Sequence, residues 1–176
     1  CLALFCISVS LSFAVLGAGT GCGEKEKTKK QKKARNHLKK GKHFFARGNI
    51  DRALDEYRAA CQSRPRSAIA QNLLGMALRF KFYETGDRGY REKETEAFDT
   101  AVSLKPKWSL ARINLATTLW ERGQRAAAVE QYKKALALDK NHPDAAVIRQ
   151  RIEEVANQRK TTLAPPRTES KKEKGK

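Results

Sequence analysis

The sequence has no nucleophile-and-base constellation, no Gly-x-Gly-x-x-Gly loop and no Walker loop. Its three histidines, His37, His43 and His142, neither pair at i,i+4 spacing nor stand beside a carboxylate motif. Its four cysteines are scattered, with no C-x2-C spacing of the kind that holds zinc. These absences point away from catalysis and leave no expectation of a metal or a cofactor. Large apolar residues are also scarce in residues 22–33 and 159–176, so composition reads these segments as a disordered basic linker and tail.

Charge is what the chain has in excess: 37 Lys and Arg against 19 Asp and Glu, a net +18 over 176 residues. Residues 23–35 and 157–176 each carry seven basic and two acidic side chains, and so hold ten of the eighteen charges. The middle, 36–156, mixes both signs as a solvated helical surface does. Such a balance suits anionic partners, whether acidic proteins, lipid headgroups or nucleic acid.

From Cys1 to Leu16 there is no charge, and the small residues Gly17 to Gly21 then lead into Cys22. Sixteen uncharged residues fall short of the roughly 20 that cross a bilayer, which favours a removable signal over residues 1–21. The segment resembles a bacterial lipoprotein signal. Thr20 and Gly21 fit its cleavage box, while Gly19 stands where Leu is usual. The resemblance implies a diacylglyceryl anchor on Cys22 and a periplasmic-side location in the cell envelope, with inner and outer membrane left open. With Cys1 and Cys6 gone and Cys22 modified, Cys61 would be the one free thiol, read as a small buried residue on a helix. A competing topology follows from the lysines directly after the apolar run, because positive charge is retained in the cytoplasm. In it, the chain is anchored in the inner membrane with its body in the cytoplasm.

Between the tails a pattern of small residue, aromatic, small residue recurs: Ala53, Tyr57, Ala60; then Phe98, Ala101; then Ala128, Tyr132, Ala135. Tyr57 and Phe98 lie 41 residues apart, Phe98 and Tyr132 34. The seven extra residues fall between Gly75 and Phe98, around a turn expected near Gly86 and Gly89. Small residues at Gly41, Gly75 and Ala116 would let helix axes approach closely, with aromatics filling the space. Over 34–140 this resembles the tetratricopeptide repeat (TPR), a helix-turn-helix unit of 34 residues. The expected fold is therefore all-α: a short solenoid over 34–158, in units 34–67, 68–108 and 109–142, closed by a capping helix at 143–158. Glu94 stands where the second unit should have a small residue, and Lys140 replaces a closing proline.

The resemblance implies a concave groove that binds peptides. Its expected lining is Arg35, Lys39 and Lys42 from unit one, Asn72, Met76 and Arg79 from unit two, and Asn114, Thr117 and Glu121 from unit three. No asparagine ladder exists, since Lys39 and Leu73 occupy the positions equivalent to Asn114. The two-carboxylate clamp of chaperone-binding TPRs is absent as well. Trp108 and Trp120 are read as packing residues. The expected function is a non-enzymatic, lipid-anchored envelope adaptor for a protein or peptide partner, an acidic one by the charge of the groove. An exported chain would not meet nucleic acid. In the cytoplasmic topology, basic tails at 25–33 and 171–176 would bind anionic lipid or nucleic acid instead. Oligomeric state is left open.

Overall fold

The computed structural model describes residues 20–163, and every regular element among them is a helix. In chain order these are α1 (Thr20–Ala46), α2 (Ile50–Ser63), α3 (Ala68–Thr85), α4 (Arg88–Leu104), α5 (Ser109–Glu121), α6 (Arg125–Leu138) and α7 (Ala145–Leu163). They form three hairpins, α1–α2, α3–α4 and α5–α6, stacked in sequence through α2 on α3 and α4 on α5, with α7 closing the array against α6.

Each hairpin is made by the same parts. The turns pass through Gly48, Gly86 and Gly123 at φ 74°, 71° and 75°, a left-handed backbone that glycine adopts without strain. Asn49 and Asp87 then cap the returning helices by accepting from the amides of Arg52 and Gly89. At the far ends of α2, α4 and α6 the cap amides of Arg64, Lys105 and Asp139 close onto the carbonyls of Ala60, Ala101 and Ala135. Inside the first two hairpins an aromatic ring lies against a glycine. A methyl group at Gly41 would come within 2.5 Å of the Tyr57 ring, and one at Gly75 within 2.7 Å of the Phe98 ring. Tyr57, Phe98 and Tyr132 are all buried, as is Ala116, which occupies the third crossing position.

The seven-residue excess is resolved into helix. α3 runs ten residues past Gly75, whereas α1 and α5 stop five past Gly41 and Ala116. α4 begins ten residues before Phe98, whereas α2 and α6 begin seven before their tyrosines. Five more residues on one arm and three on the other, less one from a turn shortened to Gly86–Asp87, account for the insertion. Both arms of the middle hairpin thus grow by about one turn.

Two expectations change. Residues 22–33, read as a disordered linker, form the opening turns of α1. Lys, Glu and Gln are strong helix formers, and Glu26 and Lys30 pair at 2.8 Å across one turn. The capping helix runs to Leu163, five residues into the segment read as a tail. It packs Ile148 and Ile152 on the Tyr132 cluster and buries Val155. The expected signal up to residue 19, the Cys22 side chain and residues 164–176 lie outside the described residues. Among those described, no helix is long and apolar enough to cross a membrane.

Replacing Gly75 by Ala is expected to destabilise the protein by about 1–3 kcal/mol in urea denaturation, because the buried Phe98 ring has to shift. Adding Phe98→Leu should recover part of the loss. Equal stability of Gly75→Ala and wild type would contradict the close crossing.

Candidate functional site

The first helices of the three hairpins, α1, α3 and α5, supply one face of the array. On α3, Ile69, Leu73, Met76, Phe80 and Tyr83 follow at spacings of four and three, which aligns them along one side of the helix. The core claims only part of this stripe. Ile69, Phe80 and Tyr83 remain 49%, 48% and 56% exposed, and Leu110 at the corresponding end of α5 is 41% exposed. Phe80 meets the Phe45 ring of α1 edge-on at 5.0 Å, and the Tyr83 hydroxyl donates to Glu121 of α5 at 2.8 Å. The stripe therefore lies between α1 and α5.

Its α1 wall is basic. Arg35, Lys39 and Lys42, with Leu38, Arg64 and Ile69, line an open groove of about 450 Å³. All three α1 cations are exposed, and none forms an ion pair among the described residues. Its α5 wall is polar, carrying Asn114, Thr117 and Glu121. The carboxylate of Glu121 is already engaged by Arg91 at 2.8 Å as well as by Tyr83.

Other expected groove residues serve the joint between hairpins. Asn72 is 2% exposed, and its side-chain carbonyl accepts from Asn114 at 2.9 Å. Arg79 turns inward, donating to Glu94 at 2.7 Å, to the Asn114 carbonyl at 2.8 Å and to Thr118 at 2.9 Å. Glu94 is wholly buried. Arg91 supports its second oxygen at 2.8 Å, and the Thr118 hydroxyl donates to the first at 2.7 Å. The acid at a small-residue position is thus the centre of a polar lock joining α3, α4 and α5. Neither the lock nor the apolar stripe was foreseen. The spacing of Ile69, Leu73, Met76, Phe80 and Tyr83 was the signal for the stripe, whereas the partners of Glu94 are set by packing alone.

Elsewhere the chemistry is structural. Trp120 packs near Tyr132, with Arg125 stacked 3.9 Å over its ring, and Trp108 packs against the Phe98 cluster. Tyr132 also meets Thr117 and Arg151 through its hydroxyl. His37 of α1 meets Glu56 of α2 at 2.6 Å, a partner no local motif could reveal. Burial pushes the Cys61 thiol up to about 11, so it stays protonated near neutrality. No group of three or more His, Cys, Asp or Glu that could hold a metal occurs among the described residues.

The tetratricopeptide-repeat family model matches residues 38–79 and 113–149, covering parts of all three hairpins and the start of α7. The array has the tetratricopeptide-repeat fold. The TPR array resembles the first TPR domain of Spaghetti (RPAP3), solved bound to the HSP90 peptide SRMEEVD. The TM-score is 0.62 at 20% identity, covering 71% of this chain and 97% of that one. The TPR2B domain of yeast Sti1, in a complex with pHsp70, gives 0.60 at 21% identity, covering 72% and 98%. The Yersinia enterocolitica secretion chaperone SycD, with a peptide of the translocator YopD, gives 0.61 at 14% identity, covering 71% and 93%. At these identities the likeness is one of fold. In sequence, 95 residues are 30% identical to the peroxisomal targeting signal receptors of Eremothecium gossypii and Candida glabrata. That match covers 54% of this chain but only 16% and 15% of the receptors.

Replacing Glu94 by Ala, the residue type the repeat pattern leads one to expect, should cost about 3–5 kcal/mol by leaving Arg79 without a counter-charge and Arg91 with Glu121 alone. The double variant Glu94→Ala/Arg79→Met should lose less than the sum of the single changes. Strict additivity in denaturant titration would show that the lock is not a coupled unit.

Proposed function

We propose that this TPR array is a non-enzymatic adaptor. It holds an acidic, amphipathic peptide segment of a protein partner, apolar side chains on the α3 stripe and carboxylates toward Arg35, Lys39 and Lys42. The observation that carries this reading is the exposed row Ile69, Phe80 and Tyr83 beside three cations with no counter-ion. A stripe of large apolar side chains left open to water is a binding surface in waiting, and the neighbouring positive wall selects the sign of what covers it. The peptide complexes of the structural relatives support the same use of the fold, one of them with an acidic peptide.

The adaptor is further proposed to be a lipoprotein of the bacterial envelope, anchored through Cys22 after removal of residues 1–21. Sequence supports this part: an uncharged run, then small residues, then cysteine. Since α1 is helical from Thr20, the tether proposed here is a stiff basic helix. From residue 22 to residue 34 it would hold the repeats about 18 Å from the anchor.

The groove is tested with an array of synthetic peptides varying in acidity and apolar spacing. The best binder is expected to be acidic and to weaken at least about tenfold with Arg35→Glu/Lys39→Glu and with Ile69→Ala/Phe80→Ala, at unchanged melting temperature. Retained affinity in both variants would overturn the assignment.

The anchor is tested by intact mass of membrane-extracted protein. A species beginning at Cys22 with added acyl mass, lost in Cys22→Ala, is expected. An unmodified chain retaining residues 1–21 would sink the lipoprotein reading and favour the cytoplasmic topology.

A further inference from the structure

Helix α1 has a second face that the groove does not use. Between Lys25 and His43 it carries ten basic side chains and one acidic. The side toward the hairpin is marked by Ala34, Leu38 and Gly41, buried or half-buried. On the opposite side Lys25, Lys29, Lys32, Asn36 and Lys40 follow at near-helical spacing, with Lys33 and His43 beside them, and all are exposed. None of these lysines has an ion-pair partner among the described residues. Glu26, the one acidic side chain described in this helix, is held by Lys30. The stripe from Lys25 to Lys40 is about 23 Å long.

We propose that this stripe lies along an anionic bilayer surface, orienting the TPR array with its peptide groove turned sideways and free. Three features select that occupant. A row of cations 23 Å long exceeds what a single phosphate or carboxylate engages and calls for a surface of many anions. The rings that border the stripe, His43 and Phe44, are spent on each other edge-on at 5.8 Å, with Arg52 over the Phe44 face, so no row of free faces is offered for stacking the bases of a single strand, and the helix adsorbs at the headgroups through its lysines. Finally, it begins nine residues after the uncharged run Cys1 to Leu16 and three after Cys22, the part of the chain proposed above to attach to a membrane. A patch of lysines next to one hydrophobic attachment is a physical route to stable membrane association, each adding electrostatic attraction that salt screens. The inference uses the helical form of α1 and the charge of its outer face. It rests on the proposed attachment just before the helix, whether by the uncharged run or at Cys22, and not on the groove's ligand.

The test is flotation of the full chain with vesicles of phosphatidylcholine alone and of phosphatidylcholine mixed with phosphatidylglycerol. The quantity read is the preference for the anionic vesicles, which factors out apolar insertion of residues 1–16. Replacing Lys25, Lys29, Lys32 and Lys40 by Gln should reduce that preference at least about tenfold, since each lysine near an anionic surface contributes appreciably. Replacing the same four by Arg should keep it. A control with Arg88, Lys93, Lys107 and Lys133 changed to Gln removes equal charge from the rest of the array and should stay within about twofold of wild type. The proposal is overturned if wild type shows no preference, if the Gln stripe variant retains it, or if the control loses as much. It is likewise overturned, in favour of nucleic acid, if duplex DNA at equal phosphate strips the protein from anionic vesicles.

Discussion

The seating of one aromatic ring per hairpin against its partner helix sets the geometry on which the rest depends. Tyr57 and Phe98 occupy space that any side chain at Gly41 or Gly75 would fill, so the first two helix pairs cross at the distance a bare backbone allows, and Ala116 adds only a methyl group at the third. Ala53, Ala60, Ala101, Ala128 and Ala135, all fully buried, keep the flanking contacts equally tight. With small residues committed to the crossing, the remaining faces of α1, α3 and α5 are free to carry other side chains. The groove exists because the core needs so little of each first helix.

The middle hairpin departs from this pattern in a connected way. It has longer arms, a shorter turn and an acid where the others have alanine. A buried carboxylate is tolerable only when fully paired, and Arg79, Arg91 and Thr118 provide that pairing. Since Thr118 belongs to α5 and Arg79 reaches the Asn114 carbonyl, the lock also fixes the third hairpin on the second. The added length of α3 carries Tyr83 out to Glu121, extending the same junction to the groove's edge. In physical terms the insertion and the buried acid are two parts of one joint.

How much of this was legible in the sequence depends on the range of the forces involved. The hairpins, their turns and the crossing residues were readable because glycine conformation and aromatic-on-small packing recur at fixed spacing. The place of Asn72 and Arg79 was not, since repeat geometry alone cannot say that a buried Glu94 will draw an arginine inward from the groove. For residues 22–33 the error had another origin. Composition argued that an isolated basic stretch cannot repay its ordering entropy, but this stretch is not isolated. Packing at Ala34, Leu38 and Gly41 already supplies a helical nucleus, and propagation through Lys, Glu and Gln from an existing nucleus costs little.

That correction changes what the positive charge does. On a disordered tail the lysines would be a diffuse cloud, contributing attraction to any polyanion without direction. On a helix continuous with the first repeat they become two ordered rows. Arg35, Lys39 and Lys42 flank the apolar stripe of α3, while Lys25, Lys29, Lys32 and Lys40 point away from the hairpin. The two rows share one rigid element, so an anionic surface held by the outer row constrains where the inner row can meet a peptide. Orientation then follows from helix register: about 100° per residue separates what faces the surface from what faces the partner.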